Sequence, residues 1–97
     1  MKAIRIGLAL GMAFGVVMPA WAQDGGQLAQ SKGCMGCHDV SQTKMGPSFQ
    51  AIAAKYKGQA DAPAKLASEL KTGTGHMKVD ATDAELQQLV SYVLANP

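Results

Sequence analysis

The chain is poor in aromatic side chains, in cysteine, in strand-forming pattern and in unbalanced charge. Each shortage closes off a class of protein. There are two phenylalanines, two tyrosines and one tryptophan. Phe14 and Trp21 fall in the N-terminal segment, so only Phe49, Tyr56 and Tyr92 are left to build a core. Two cysteines, Cys34 and Cys37, exclude a framework of several disulfides and a zinc site made from paired C-x-x-C motifs. No stretch alternates apolar and polar residues with a period of two, which argues against a sheet and against the βαβ unit of dithiol oxidoreductases. There is no internal repeat and no low-complexity segment. The one apolar run, residues 6–18, is shorter than the about 20 residues a membrane-spanning helix needs.

That run belongs to an export signal. Lys2 and Arg5 give a positive start, the apolar run follows, Pro19 breaks it, and Ala20-Trp21-Ala22 supplies small residues around a cleavage point. Residues 1–22 therefore read as a cleaved secretory signal and residues 23–97 as one small exported domain, placed in the periplasm. Losing Lys2 and Arg5 reduces nine basic side chains to seven, against seven acidic ones, so the mature chain is formally neutral. Nothing in that balance points to nucleic acid or an anionic membrane surface. No spanning segment remains after cleavage. A domain of this size has a small core and ordinarily needs a disulfide, a metal or a cofactor to hold it.

The patterning is helical throughout. A short helix is predicted over 27–32, with Leu28 as its one large apolar residue. Ser48 can cap a second helix running to about Lys57, with Phe49, Ile52, Ala53 and Tyr56 on one face. Pro63 suits the first turn of a third, whose inner face holds Leu66, Ala67 and Leu70. Thr72-Gly73-Thr74-Gly75 is a flexible break, and 76–80 a loop. Thr82 and Glu85 form a capping box ahead of a last helix with the stripe Leu86, Leu89, Val90, Val93, Leu94. The expectation is an all-α fold of about four short helices.

Cys34-Met35-Gly36-Cys37-His38 carries the chemistry. Thiols three residues apart lie on one side of a helical turn. Each can add to one vinyl group of a single haem, and the adjacent imidazole reaches that haem's iron, which is why C-x-x-C-H works as an attachment motif. One covalent haem c is expected, on Cys34 and Cys37, with His38 as axial ligand. The rival uses of these residues are a Cys34–Cys37 disulfide and a zinc site from Cys34, Cys37, His38 and His76. For the sixth iron position the candidates outside the signal are Met35, Met45 and Met77. Met35 lies inside the attachment loop and Met45 only a few residues beyond His38. Met77 follows a glycine-rich break that lets the chain cross to the other haem face, so Met77 is the expected ligand and His76 the alternative. His/Met ligation raises the potential and a bis-His site lowers it.

These motifs resemble the small bacterial class I c-type cytochromes, monohaem proteins of His/Met type. The likeness covers the mature chain. It runs from the helix before Cys34, through Gly46-Pro47-Ser48-Phe49 and Ala53-Ala54-Lys55-Tyr56, to Thr82-Asp83-Ala84-Glu85 and its helix. It implies a cytochrome c-like fold around one haem, with the two terminal helices crossing and Pro47 orienting the proximal His38. Two departures stand out. The ligand loop is shortened to Gly73-Thr74-Gly75-His76-Met77-Lys78, without the family's Trp and Pro-Met-Pro run. The aromatic of the family's first helix is Ala29 here, which points to weaker packing of the terminal helices.

The expected function is electron carriage rather than enzymatic catalysis. Transfer is outer-sphere, through a haem whose crevice is lined by Phe49, Ile52, Tyr56, Leu66, Leu70, Leu89 and Val93. The expected partners are redox proteins, an unidentified donor and acceptor. The alternatives are a cytochrome subunit of a larger dehydrogenase complex and, if Met77 does not bind, a five-coordinate haem sensor or enzyme. Lys55 and Lys57 are expected to face solvent rather than pair with haem propionates.

Overall fold

The computed structural model describes residues 20–97, so nearly all of the expected signal segment lies outside the described residues. Four helices follow one another: α1 Ala20–Ser31, α2 Phe49–Lys55, α3 Ala62–Thr72 and α4 Asp83–Leu94. No strand occurs among the described residues. No helix among them is long and apolar enough to cross a membrane.

α4 is the hub and packs against each of the other three helices. Its start is set by the capping box. The Thr82 hydroxyl accepts from the Glu85 N–H at 3.2 Å, and the Glu85 carboxylate accepts from the Thr82 N–H at 3.0 Å. Leu86, Leu89 and Val90 are then its buried positions. Ser48 caps α2 by accepting from the Ala51 N–H at 3.1 Å. α2 stops at Lys55, earlier than the pattern suggested; beyond it the Lys57 N–H bonds only three residues back, to the Ala54 carbonyl at 3.4 Å, as the last turn tightens. Gly73, at φ 77°, ends α3 with its N–H on the Glu69 carbonyl.

The first helix begins at Ala20 rather than near residue 27. Gly25 and Gly26 have poor helix propensity, but both lie against α4. A Cβ on Gly25 would sit 2.6 Å from Tyr92 Cβ, while one on Gly26 would be in ordinary contact with the Tyr92 ring. Ala29, on the same face, is wholly buried. The terminal helices therefore meet closely, through small residues on α1 and one aromatic on α4, and the weaker packing expected from Ala29 is not what the structure shows.

The core is small. Ala29, Phe49, Leu86 and Leu89 form its buried cluster, and Leu28, Cys34, Met35, Ile52, Leu70 and Val93 are among the half-covered residues around it. Tyr56 and Leu66, expected to line the crevice, are half-buried and lie outside that cluster. Lys32 Nζ lies 3.7 Å from Glu85 and links the end of α1 to the start of α4.

Glu85 gives the fold an acid-sensitive point. The backbone hydrogen bond from Thr82, and then the Lys32 charge, hold its carboxyl below the ordinary range. A carboxyl depressed on folding stabilises the native state above its unfolded value, about 4.3, and that stability is lost as pH falls through the lower folded value. Glu85→Gln is therefore expected to flatten the fall in melting temperature between about pH 5 and pH 3. Parallel acid-melting curves for the two proteins would contradict it.

Candidate functional site

The site starts where α1 ends. Gly33, at φ 79°, turns the chain into a short 3-10 turn, Cys34–Gly36. The Cys37 N–H donates to the Cys34 carbonyl at 3.2 Å, and the His38 N–H donates to the same carbonyl at 2.9 Å. Cys34, Cys37 and His38 thus share one turn. Both thiols are free and half-buried. Burial pushes the Cys34 thiol up, outweighing a backbone hydrogen bond that lowers it.

The loop after His38 folds back over this turn. The Asp39 carboxylate accepts from the Ser41 and Gln42 N–H groups, each at 3.0 Å, and these bonds hold it below the ordinary carboxylate range. The Gly46 N–H donates to the Cys37 carbonyl at 2.8 Å, and Lys44 Nζ donates to the Met35 carbonyl at 3.0 Å. The Phe49 N–H donates to the Asp39 carbonyl at 2.9 Å, tying the start of α2 to the same loop.

These bonds bring the Pro47 carbonyl to 2.6 Å from His38 Nδ1. A carbonyl only accepts, so Nδ1 carries the proton and Nε2 keeps a free lone pair. The imidazole is held on other sides too. Phe49 stacks beside it, ring centres 5.6 Å apart, and in turn meets Tyr92 edge-on at 5.8 Å. Gly46 lies against the ring, since a Cβ there would be 2.6 Å from Cε1 and 2.9 Å from Nδ1. Gly46→Ala must push the ring or the loop aside. The expected result is about 1–3 kcal/mol of lost stability, together with a moved midpoint potential as the Pro47 bond is strained. Unchanged melting and an unchanged voltammogram would contradict it.

The downstream loop, 73–78, is closed at its base by the Val79 N–H, which donates to the Leu70 carbonyl at 2.9 Å. It carries His76 and Met77. The His76 ring lies parallel to His38, with 6.0 Å between centres and 7° between planes. Met77 is 71 % exposed, and Met45 is 87 % exposed. Lys55 and Lys57 are exposed, with Lys55 Nζ 5.3 Å above the Tyr56 ring. Among the described residues no three His, Cys, Asp or Glu side chains converge as a metal-holding group, so the zinc set of Cys34, Cys37, His38 and His76 is not assembled. The part played by Gly46, and the pairing of His76 with His38, carry no local sequence signal. Both arise from chain segments that meet only in three dimensions.

Two free thiols and an imidazole with a bare nitrogen, all on one turn, form a donor set that matches a haem held by two thioethers and one axial bond. The comparisons with known proteins agree. The family described as Cytochrome c matches residues 22–96, and the chain belongs to that family. Cytochrome c-552 of Hydrogenobacter thermophilus is 40% identical over 76 residues, covering 71% of this chain and 78% of that protein. Cytochrome c-551 of Pseudomonas aeruginosa is 37% identical over 83 residues, covering 78% and 80%. The crystal structure of a class 1 cytochrome from Sideroxydans lithotrophicus superposes with a TM-score of 0.68 at 31% identity, covering 73% of this chain and 90% of its own. The chain is thus a small bacterial class I c-type cytochrome, with the covalently attached haem c of that family.

Proposed function

We propose that residues 23–97, freed from a signal at 1–22, act in the periplasm as an electron carrier rather than an enzyme. The relatives are named cytochrome c-552 and cytochrome c-551, which supports the carrier reading. Cys34 and Cys37 would hold the haem by thioethers, and His38 Nε2 would bind its iron. The Pro47 carbonyl fixes the tautomer and direction of that ring. The loop 73–78, which carries Met77, the residue favoured by the sequence, and His76, would supply the second iron ligand. When bound, the haem supplies a one-electron ferric/ferrous couple.

The chain's own part is to close the coordination sphere. With His38 and a side chain of the loop 73–78 both engaged on the iron, the chain would leave a substrate no open position there, and the group would supply electron transfer alone. Phe49, itself buried, stacks beside the His38 ring and covers that side of it. The partners are a donor and an acceptor protein.

The single observation behind this reading is the turn that presents Cys34, Cys37 and a tautomer-fixed His38 together. The test is a redox titration of the purified exported protein with carbon monoxide. One reversible one-electron wave, and a ferrous form slow to bind carbon monoxide, are expected. Rapid carbon monoxide binding would transfer the assignment to a five-coordinate sensor or enzyme.

A further inference from the structure

We infer that His76, and not Met77, is the residue this chain presents to the sixth position of the haem iron. The inference rests on the haem reading above and departs from the Met77 expected from the sequence.

Two observations carry it. First, the His76 ring lies parallel to His38, within 7°, with 6.0 Å between ring centres. Two imidazoles on one metal, each with a bond of about 2 Å and roughly 1 Å more from nitrogen to ring centre, stand about 6 Å apart. Second, His76 Nδ1 lies 2.7 Å from the Met77 carbonyl. That oxygen can only accept, so Nδ1 holds the proton and the Nε2 lone pair is free. His38 is in the same state, through the Pro47 carbonyl at 2.6 Å. Each ring therefore has the backbone-carbonyl partner typical of a metal-bound imidazole.

The loop explains the choice. Gly73 at φ 77° and Gly75 at φ 71° turn the chain tightly. A Cβ on Gly73 would be 3.3 Å from Lys78 Cβ, and Val79 is pinned to Leu70. So short a loop, anchored at both ends, fixes which of two adjacent side chains faces His38. The consequence is a lower midpoint potential than a His/Met site in the same fold would give, and so donor and acceptor proteins that work at lower potential.

The test uses the exported holoprotein and two variants, His76→Ala and Met77→Leu. Haem content in each is checked by mass under denaturing conditions, and folding by circular dichroism. The wild-type ferric spectrum is expected to be six-coordinate low-spin without a sulfur-to-iron charge-transfer band. Met77→Leu should keep that spectrum and the wild-type potential. His76→Ala should lose the low-spin spectrum, bind carbon monoxide rapidly when reduced, and regain the low-spin form on adding free imidazole, a rescue that a merely structural role for His76 does not give. A charge-transfer band in the wild type that disappears in Met77→Leu overturns the inference and leaves the carrier reading intact. So does a His76→Ala spectrum equal to wild type. A five-coordinate wild-type iron overturns the inference together with the closed coordination sphere. A product with no haem on its cysteines overturns both readings.

Discussion

Replacing Cys34 and Cys37 together by alanine is expected to abolish covalent haem retention and to unfold most of the domain. The chemical half follows from the thiol count. These are the only two cysteines in the chain, so no other thiol can form a thioether. The folding half follows from the size of the core. Its buried cluster is Ala29, Phe49, Leu86 and Leu89, only three of them large side chains. A domain this small rarely gathers enough apolar area to offset its chain entropy without a staple. Hydrogen bonds join the turn bearing the cysteines to the loop 39–47, and that loop to the start of α2, so loosening the turn loosens both. The expected product is colourless, with far-ultraviolet helicity well below wild type. A variant with native helicity and cooperative melting would show that the polypeptide packs without its prosthetic group.

Phe49→Ala is expected to cost about 3–5 kcal/mol, the usual range for removing a buried aromatic ring. Phe49 is 2 % exposed, and its ring bridges two parts of the molecule, stacking beside His38 and meeting Tyr92 of α4 edge-on. Such aromatic pairs add roughly 0.5–1.5 kcal/mol beyond area burial. Against a typical total of about 5–15 kcal/mol, the loss should lower the denaturant midpoint by at least about a fifth, and by most of its value in a marginally stable chain. Because Phe49 supports the face of His38, the potential should move as well. Phe49→Leu keeps part of the volume and should cost less. A Phe49→Ala midpoint within about 1 kcal/mol of wild type would show that the site collapses without strain and that Phe49 is not central to the core.

Much of the fold was legible because its signals are local. Thr82 and Glu85 announce α4, Ser48 announces α2, and the stripe from Leu86 to Val90 is the stripe that is buried. The attachment motif is local too, since five consecutive residues carry it. What the sequence could not show depends on contacts between distant segments. Gly25 and Gly26 look like helix breakers until Tyr92 is set against them. Gly46 looks like an ordinary turn glycine until its Cβ position is seen to fall on His38. Ala29 looks like a lost aromatic, yet it is fully buried, because small residues on α1 let α4 approach. The choice between His76 and Met77 is of the same kind. The two are adjacent in the chain, and only the closure of their loop decides which faces His38.

The attachment itself is tested most directly by the mass of the exported protein, measured after denaturation and after digestion around Cys34 and Cys37. The account predicts one haem retained on the peptide carrying both cysteines, in a chain that begins at Gln23. A colourless chain of bare polypeptide mass, with the two sulfurs free or joined to each other, would contradict it.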